Sequence, residues 1–166
     1  MCKTQSRNLK RSTKVLFLLL LYKSKNLFIK PTTKLLSNKN LALQPDPEIS
    51  DEILNNLIVD AIKDIKGKDI ALFDLRHLPS ASNDYFIICH GNSKTQLFGI
   101  INNIEKRVYE ELGIRPNHSE GKGGTNWMLT DYFSVIVHIF MQEKREFYNM
   151  EDLWSDAIIT KYNNLD

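Results

Sequence analysis

The chain has 166 residues, of which 42 % are hydrophobic and 25 % charged, a balance that suits one globular domain with a buried core. Of its 22 basic residues, ten precede position 46, where no acidic residue occurs; the other twelve accompany all 20 acidic residues and give the remainder a formal charge of −8. An acidic domain is a poor non-specific ligand for nucleic acid, because the phosphate backbone favours lysine and arginine. The composition therefore predicts a basic segment, residues 1–45, followed by an acidic domain that suits a basic protein partner.

The basic segment contains the one strongly hydrophobic run of the chain, VLFLLLLY at residues 15–22. Eight apolar residues fall far short of the roughly 20 that cross a bilayer, so no membrane span is predicted. Three interpretations stay open: a secretory signal, although no small-residue cleavage site follows; an organellar transit peptide, which acid-free composition favours; or a start assigned upstream of the true one. In each case the segment is expected to be a disordered or spurious extension outside the folded domain.

The chain has two cysteines, and neither fits a disulfide framework. Cys2 lies in the basic segment and Cys89 in an apolar strand, where a buried free thiol is the ordinary interpretation. A reducing compartment follows, so we expect a cytoplasmic protein, or a mitochondrial or plastid one if residues 1–45 are a transit peptide. The H-x-E at residues 118–120 is not accompanied by the P-C-x-x-C motif that a zinc deaminase also requires, so no metal site is predicted.

The first predicted helix follows a linker, QPDP at residues 44–47, in which each proline turns its predecessor away from helical geometry. Ser50 is a favourable N-cap, and apolar residues then recur at helical spacing through residues 53–65. Gly67 is predicted to end the helix as its C-cap.

Two strands and a second helix are predicted next. Residues 70–75 (IALFDL) and 84–90 (DYFIICH) are short apolar runs, typical of strands in a covered sheet. Ser93 and Gln96 form an S-x-x-Q capping box that begins a helix, and Gly113 ends that helix.

A predicted hairpin forms the centre of the fold. Residues 126–132 alternate in polarity, and residues 134–140 (SVIVHIF) are apolar on both faces, as expected of a strand in the middle of a sheet covered by helices. Short helices are predicted at residues 143–148 and 150–154. Residues 161–166 are expected to form a C-terminal tail.

The element order α-β-β-α-β-β-α predicts a single α/β domain over residues 46–160, with a mixed β-sheet flanked by helices. A strand, the turn Gly91-Asn92-Ser93 and then a helix is also the entry seen in nucleotidyltransferases, where phosphate approaches a helix N-terminus. Such an enzyme would use Ser93 with Asp74 or Asp84, but it needs paired carboxylates for metal ions, and the strands offer isolated ones. Nucleotidyl transfer is therefore the alternative function, and a turn with a helix cap suffices to explain the glycine.

Three further side chains or segments have a default interpretation. His138, inside an apolar strand, is predicted to be a core histidine bonded to a backbone group. Residues 143–146 (EKRE) are predicted to be a solvated helix start. Trp127 follows a loop rich in glycine and opens a strand near the sheet edge, so partial exposure as an interface anchor and burial in the core are both open.

Eight short motifs occur in a fixed order between residues 67 and 157. They are GKDI at 67–70, DYFIIC at 84–89, GNS at 91–93, HSEG at 118–121, WMLTDY at 127–132, VIVHIF at 135–140, REFY at 145–148 and LWSDA at 153–157. Each is weak alone, but in this order and spacing they are specific. On these motifs the domain resembles the ribosomal silencing factor (RsfS) family, also called the Iojap family.

The resemblance implies a non-catalytic protein, without cofactor or metal, that has a degenerate nucleotidyltransferase-like α/β fold. Members of the family bind the large ribosomal subunit through its fourteenth protein, at the face where the small subunit docks. The bound factor blocks subunit joining sterically and represses translation when nutrients are scarce. Members also tend to form homodimers. A basic ribosomal protein would suit the acidic domain, because opposite potentials steer encounter.

By position in the motifs, the resemblance implies a contact surface that contains Trp127, Met128 and Asp131, with His118 and Glu120 beside them. Trp127 would be the apolar anchor, and Glu120 and Asp131 would meet lysine or arginine side chains of the partner.

The sequence departs from the family pattern in three places. Phe133-Ser134 stands where the hairpin turn of the family has Gly-Asp, so a looser turn or a buried Phe133 is expected. Ser155 replaces a common glycine, which is a mild change. Residues 1–45 have no counterpart in the family, and a contact of this basic segment with ribosomal RNA is a hypothesis only.

Overall fold

Six strands form one mixed sheet, and helices pack on both of its faces. A computed structural model describes residues 50–79 and 81–164, so the predictions made for residues 1–49 lie outside it. No helix in the described ranges is long and apolar enough to cross a membrane. The elements in chain order are α1 (Asp51–Asp64), β1 (Lys68–Asp74), β2 (Tyr85–Gly91), α2 (Lys94–Leu112), β3 (His118–Glu120), β4 (Trp127–Asp131), β5 (Val135–Met141), α3 (Gln142–Tyr148), α4 (Met150–Leu153) and β6 (Ile158–Lys161).

The strand order across the sheet is β3-β4-β5-β2-β1-β6. Strands β2 and β5 lie at the centre and pair in parallel, while every other neighbouring pair is antiparallel. All of β2 is buried, and so is β5 apart from Met141 at its end. The prediction that the strand apolar on both faces runs through the middle of a covered sheet is therefore confirmed, as is the mixed α/β class.

The two faces of the sheet carry different clusters. On one face, alternate residues of β2 and β5 (Tyr85, Ile87, Cys89, Val135, Val137 and Ile139) form the main core with the apolar sides of α1 and α2. On the other face, aromatic rings from β2, β4 and β5 meet the rings of Tyr148, which ends α3, and Trp154, which follows α4. This alternation is what a two-residue side-chain period requires of strands covered on both sides.

Helix α1 begins and ends through specific hydrogen bonds. The Ser50 hydroxyl accepts from the Ile53 backbone N–H at 3.4 Å, which confirms the predicted N-cap. At the other end Lys66, with φ 54°, takes the left-handed position, and Gly67 N–H donates to the Ile62 carbonyl at 3.0 Å. These bonds form a Schellman ending. The prediction that Gly67 is the C-cap is wrong, because Ile65 is the C-cap and Lys66 is the left-handed residue. A Cβ on Gly67 would lie 2.3 Å from Ile62 Cγ2, so packing is what requires the glycine.

Gln96 joins the end of α1 to the beginning of α2. Its backbone N–H donates to the Ser93 hydroxyl at 3.1 Å, as the capping box predicts. Its side chain departs from the box, because Oε1 accepts from the Asn92 N–H at 2.8 Å instead of from Ser93. Nε2 then donates to the carbonyls of Ile65 and Lys66 at 3.0 and 2.9 Å, which are otherwise unpaired acceptors at a helix end.

The β4–β5 turn differs from both expectations. It is a tight two-residue turn, closed by a hydrogen bond of 2.8 Å from Tyr132 N–H to the Val135 carbonyl. Phe133 has φ 67°, and its side chain is 70 % exposed instead of buried. A buried carboxylate oxygen of Asp131 accepts from the Phe133 N–H at 2.8 Å and holds the turn in this form.

Two short edge strands were not predicted. Residues 118–120 form β3 instead of a loop, and β6 includes Lys161, which was predicted to begin a tail. Beyond β6, the Tyr162 N–H donates to the Ile70 carbonyl at 2.9 Å, and Asn164 Oδ1 accepts from the Asp69 N–H at 2.7 Å. Three- and four-residue strands are too short for alternation to be visible in sequence.

Replacing Gln96 by alanine should lower the free energy of unfolding by about 2 kcal/mol, because buried or partly buried helix-end groups lose their partners. The matched control is Gln142→Ala in α3, whose side chain makes one exposed bond to Glu146 and should change the free energy by about 0.5 kcal/mol or less. Urea unfolding of both variants measures the difference. Equal effects would mean that Gln96 does not join the helices.

Candidate functional site

A groove of about 360 Å³ opens on the aromatic face of the sheet, between the loop after β3 and helix α3. We call it the Trp127 groove. Its lining residues are Glu120, Gly121, Thr125, Asn126, Trp127, Leu129, Lys144 and Tyr148. Two of the five predicted site residues, Trp127 and Glu120, therefore lie in one concave surface, although they come from different strands.

The indole of Trp127 is held by rings on two sides. It lies nearly parallel to Phe140, its cross-strand partner, with centroids 5.7 Å apart and planes 7° apart. Tyr148 of α3 leans on it at 5.8 Å and 47°. Aromatic pairs at these separations attract beyond simple burial. Trp127 is nevertheless only half-buried. Of the two interpretations that the sequence leaves open, the structure agrees with partial exposure, and the role as an interface anchor stays a prediction.

His138 orients the polar edge of the indole. Trp127 Nε1 donates to His138 Nδ1 at 3.3 Å, and the two rings are 12° from parallel. Burial lowers the pKa of His138 to about 4, so the ring is neutral at pH 7 and its proton must reside on Nε2. Among the described residues Nε2 has no hydrogen-bond partner. The predicted core position is confirmed, but its bond goes to a tryptophan side chain and not to a backbone group.

The loop before β4 fixes the position of the Trp127 backbone at the groove. The Thr125 hydroxyl lies 2.9 Å from the Gly121 carbonyl and 2.5 Å from the Trp127 carbonyl, so it connects the two ends of the loop by hydrogen bonding. Gly121 has φ 85°, and a Cβ there would lie 2.4 Å from the Trp127 carbonyl oxygen. Only glycine combines this backbone conformation with so close an approach.

His118 and Glu120 form the exposed edge of the sheet next to the groove. Both belong to β3, and His118 Nε2 lies 2.9 Å from Glu120 Oε1. Each side chain is about half exposed. Pairs of this kind contribute little to stability, because water screens them, so the two groups remain accessible to a partner.

Met128 and Asp131 are not on this surface. Met128 points to the opposite face of β4, under helix α2, and is 1 % exposed. Asp131 is 3 % exposed, and besides the Phe133 N–H its carboxylate accepts from Asn117 Nδ2 at 3.3 Å. The predicted contact role of Met128 therefore gives way to a core role, and Asp131 serves the hairpin turn instead of a partner's lysine or arginine.

Arg145 fastens helix α3 to the sheet, and sequence reasoning missed it. Its side chain, 12 % exposed, pairs with Glu151 through Nε at 3.1 Å and Nη2 at 2.5 Å. Nη1 donates to the Asp69 carbonyl and lies 3.4 Å from His90 Nδ1. Burial and the neighbouring Arg145 charge both lower the pKa of His90. The solvated helix start predicted at residues 143–146 is thus wrong for Arg145; in that charged run nothing distinguishes it, and only the REFY motif marks it.

The residues named for nucleotidyl transfer are not brought together. Asp74 pairs with Tyr85, so it lies with Asp84 at one end of β2, whereas Gly91 and Ser93 lie at the other end. Seven strand residues separate the two ends by about 20 Å. Asp74 is bonded to Arg76 at 2.6 Å, an interaction that lowers the pKa of Asp74.

No group of three or more potential metal-binding side chains occurs within residues 50–79 and 81–164. Cys89 is buried, and burial raises the pKa of its thiol to about 12, which opposes formation of a thiolate.

We expect His138 to make the protein less stable in mild acid. The pKa of a histidine in an unfolded chain is about 6.5, so the unfolded chain binds a proton at this residue below that pH. In the folded protein His138 binds the proton only when the pH is near 4, so the unfolded state is favoured between these two values. Stability should fall by about 2 kcal/mol between pH 7.5 and pH 5 from this group alone.

The variant His138→Gln should lose this part of the pH dependence, while its amide oxygen still accepts from Trp127. Urea unfolding at the two pH values measures it, with the exposed His77→Gln as control. If His138→Gln kept the full wild-type difference, the acid sensitivity would come from another group.

Comparison with known proteins agrees with the geometry. The family model described as "Ribosomal silencing factor during starvation" matches residues 47–166. The chain is 37 % identical over 109 residues to the ribosomal silencing factor RsfS of Halalkalibacterium halodurans, covering 66 % of this chain and 92 % of that protein. It is 39 % identical over 97 residues to RsfS of Bacillus subtilis, covering 58 % and 80 %.

Similarity also extends to organellar proteins and to solved structures. The "Mitochondrial assembly of ribosomal large subunit protein 1" of Mus musculus is 28 % identical over 122 residues, covering 68 % of this chain and 51 % of that protein. "Protein Iojap, chloroplastic" of Zea mays is 30 % identical over 100 residues, covering 58 % and 41 %. A crystal structure of a Chromobacterium violaceum protein superposes with a TM-score of 0.60 at 31 % identity, covering 64 % of this chain and 88 % of that one. Because the family match spans most of the chain and the described fold agrees with it, this protein belongs to the ribosomal silencing factor family.

Proposed function

We propose that this protein is a ribosome-associated silencing factor that binds the large ribosomal subunit through its fourteenth protein. By occupying the face where the small subunit docks, it prevents subunit joining and represses translation under nutrient limitation. Membership of the family supports the silencing role. The observation that carries the binding site is the Trp127 groove, a half-exposed tryptophan held rigid beside an acidic sheet edge.

The groove has the features of an interface anchor. Trp127 offers a large ring that Phe140 and Tyr148 already hold in place, so little side-chain entropy is lost on binding. Tryptophan is also the residue type most enriched among those that dominate interface energies. Leu129 forms the apolar floor, and the loop backbone around Gly121 offers polar groups at the rim.

The charge of the domain suits a basic partner. From position 46 onward the acidic residues outnumber the basic ones by eight, and Glu120 places one carboxylate at the groove itself. Ribosomal proteins that contact RNA carry lysine and arginine, because these residues neutralise phosphates. Opposite potentials accelerate encounter and orient the two surfaces before close contact forms.

Steric exclusion requires no catalytic group in the proposed mechanism. A domain of about 120 residues has a radius of gyration of about 13 Å, which corresponds to a body more than 30 Å across. Such a body on the joining face would separate the two subunits by far more than the length of any hydrogen bond between them. The rate of translation would then fall as the fraction of large subunits that the protein occupies increases.

We place this activity in the cytoplasm by analogy with the bacterial relatives. A mitochondrial or plastid location remains the alternative, which the organellar relatives favour. Self-association of two copies stays a prediction from the family resemblance.

Replacing Trp127 by alanine should weaken binding to large subunits by at least tenfold, because the anchor of the groove is removed. Co-sedimentation of the full chain with purified large subunits on sucrose gradients measures this. A second gradient with both subunits measures the yield of joined ribosomes, which wild type should lower and Trp127→Ala should not. Trp127→Phe keeps the ring contact with Phe140 and should fall between the two.

The control for a non-specific loss of surface aromatic area is Tyr109→Ala on α2, whose exposed ring lies on the opposite side of the sheet. It should bind as wild type does. A folded Trp127→Ala variant with unchanged affinity would move the interface away from the groove. Failure of wild type itself to sediment with large subunits would refute the silencing function.

Charge reversal at Glu120 should weaken the same interaction and alter its salt dependence. Glu120→Lys places a cation where the partner is basic, so we expect a loss of about tenfold at low salt that shrinks as added salt screens the repulsion. Glu110→Lys, an exposed site on α2, makes the same charge change away from the groove. Titrations at two salt concentrations compare the variants; equal losses would mean that only net charge matters.

A further inference from the structure

Phe133 is the most exposed large hydrophobic residue of the described chain. It occupies the tip of the β4–β5 hairpin with 70 % of its surface in water. Its φ of 67° lies in the left-handed region, which glycine adopts readily and bulky residues rarely adopt. The ring thus gains nothing from burial within the chain, and its backbone is held in an unfavourable conformation.

Hydrogen bonds from several parts of the domain hold the two turn residues in place. The Phe133 N–H donates to Asp131 Oδ1 at 2.8 Å, and the Phe133 carbonyl accepts from Asn83 Nδ2 at 2.7 Å. The next residue, Ser134, donates its hydroxyl to Asp51 Oδ1 at 2.7 Å and accepts at its carbonyl from the Tyr85 N–H at 2.9 Å. The turn is therefore a rigid platform that presents the ring to solvent.

We infer that Phe133 is a second apolar anchor for the same ribosomal partner that meets the Trp127 groove. This inference rests on the proposed function. Strained backbone conformations persist where the surroundings over-determine them, and they concentrate at sites that contact ligands. Because the Phe133 ring is exposed, burial within this chain does not offset the backbone strain. Contact with a partner that covers the ring would offset it. A rigid, exposed aromatic side chain loses little entropy when a partner covers it.

The position of Phe133 makes it continuous with the candidate site. Trp127 opens β4 and Phe133 lies two residues beyond its last residue, Asp131, so the two residues lie at opposite ends of the strand, about 20 Å apart. Strand β3 runs along the outer side of β4 between them, with His118 opposite Asp131 and Glu120 opposite Leu129. A standard interface covers about 800 Å² on each partner, a patch about 30 Å across, which includes both rings and the charged edge.

The test uses two substitutions that relieve the strain while removing the ring. Phe133→Asn and Phe133→Gly both suit a left-handed position, so the urea midpoint of the full chain should stay the same or rise. Affinity for large subunits purified from the same cells as the protein should fall by about tenfold in both variants. The control is Ile158→Thr, which removes a side chain of similar exposure, 63 %, from the opposite edge of the sheet.

A weaker affinity with unchanged or increased stability, together with normal binding by the Ile158 control, supports the second anchor. Unchanged affinity in both Phe133 variants overturns it, and so does a joint loss of stability and affinity, which would make Phe133 a structural part of the hairpin. Should Trp127→Ala abolish binding while the Phe133 variants bind normally, the proposed function stands and this inference alone fails. Absence of binding by wild type refutes both.

Discussion

The parallel pairing of β2 with β5 is the constraint on which the candidate site depends. Parallel neighbours cannot be joined by a tight turn, so the chain must cross over between them, and here the crossover contains α2, β3 and β4. Because β5 returns to the centre next to β2, the strands β4 and β3 are placed outside it, toward one edge. Trp127, His118 and Glu120, for which we propose a binding role, therefore lie near one edge of the sheet, where a large partner could reach them without disturbing the core.

The buried neutral histidine links that margin to the centre. His138 lies on β5, directly opposite Leu129, and its Nδ1 accepts a hydrogen bond from the indole N–H of Trp127. An exposed tryptophan without such a bond would rotate among several rotamers, and ordering it on binding would oppose association. Because burial lowers the pKa of His138, the ring is neutral at pH 7 and acts as a fixed acceptor, and the penalty for protonating it arises only in acid. The fixed position of the Trp127 ring thus depends on β5, a central strand of the sheet.

Much of the fold follows from patterns that the sequence displays directly. The helical period after Ser50, the N-cap Ser93 and the doubly apolar β5 each reflect local chemistry, and each of these predictions is confirmed. Arg145 could not be found in this way, because its partners Glu151 and Asp69 are defined by how α3 folds back onto the sheet. The conformation of the turn at Phe133 could not be predicted for a similar reason. Burial is the ordinary expectation for a phenylalanine, and the hydrogen bonds that hold the turn come from distant residues.

The WMLTDY motif shows why similarity of a motif does not make every residue in it a contact. Strand side chains alternate, so Trp127 and Leu129 face the groove while Met128 packs under α2 in the main core. A substitution at Met128 would weaken binding only by disturbing the core, and it would lower stability to the same extent. At Trp127 affinity would fall much further than stability. The two effects separate when both quantities are measured on the same variants, so the alternation of one strand divides the motif into residues of the core and residues for which we propose a binding role.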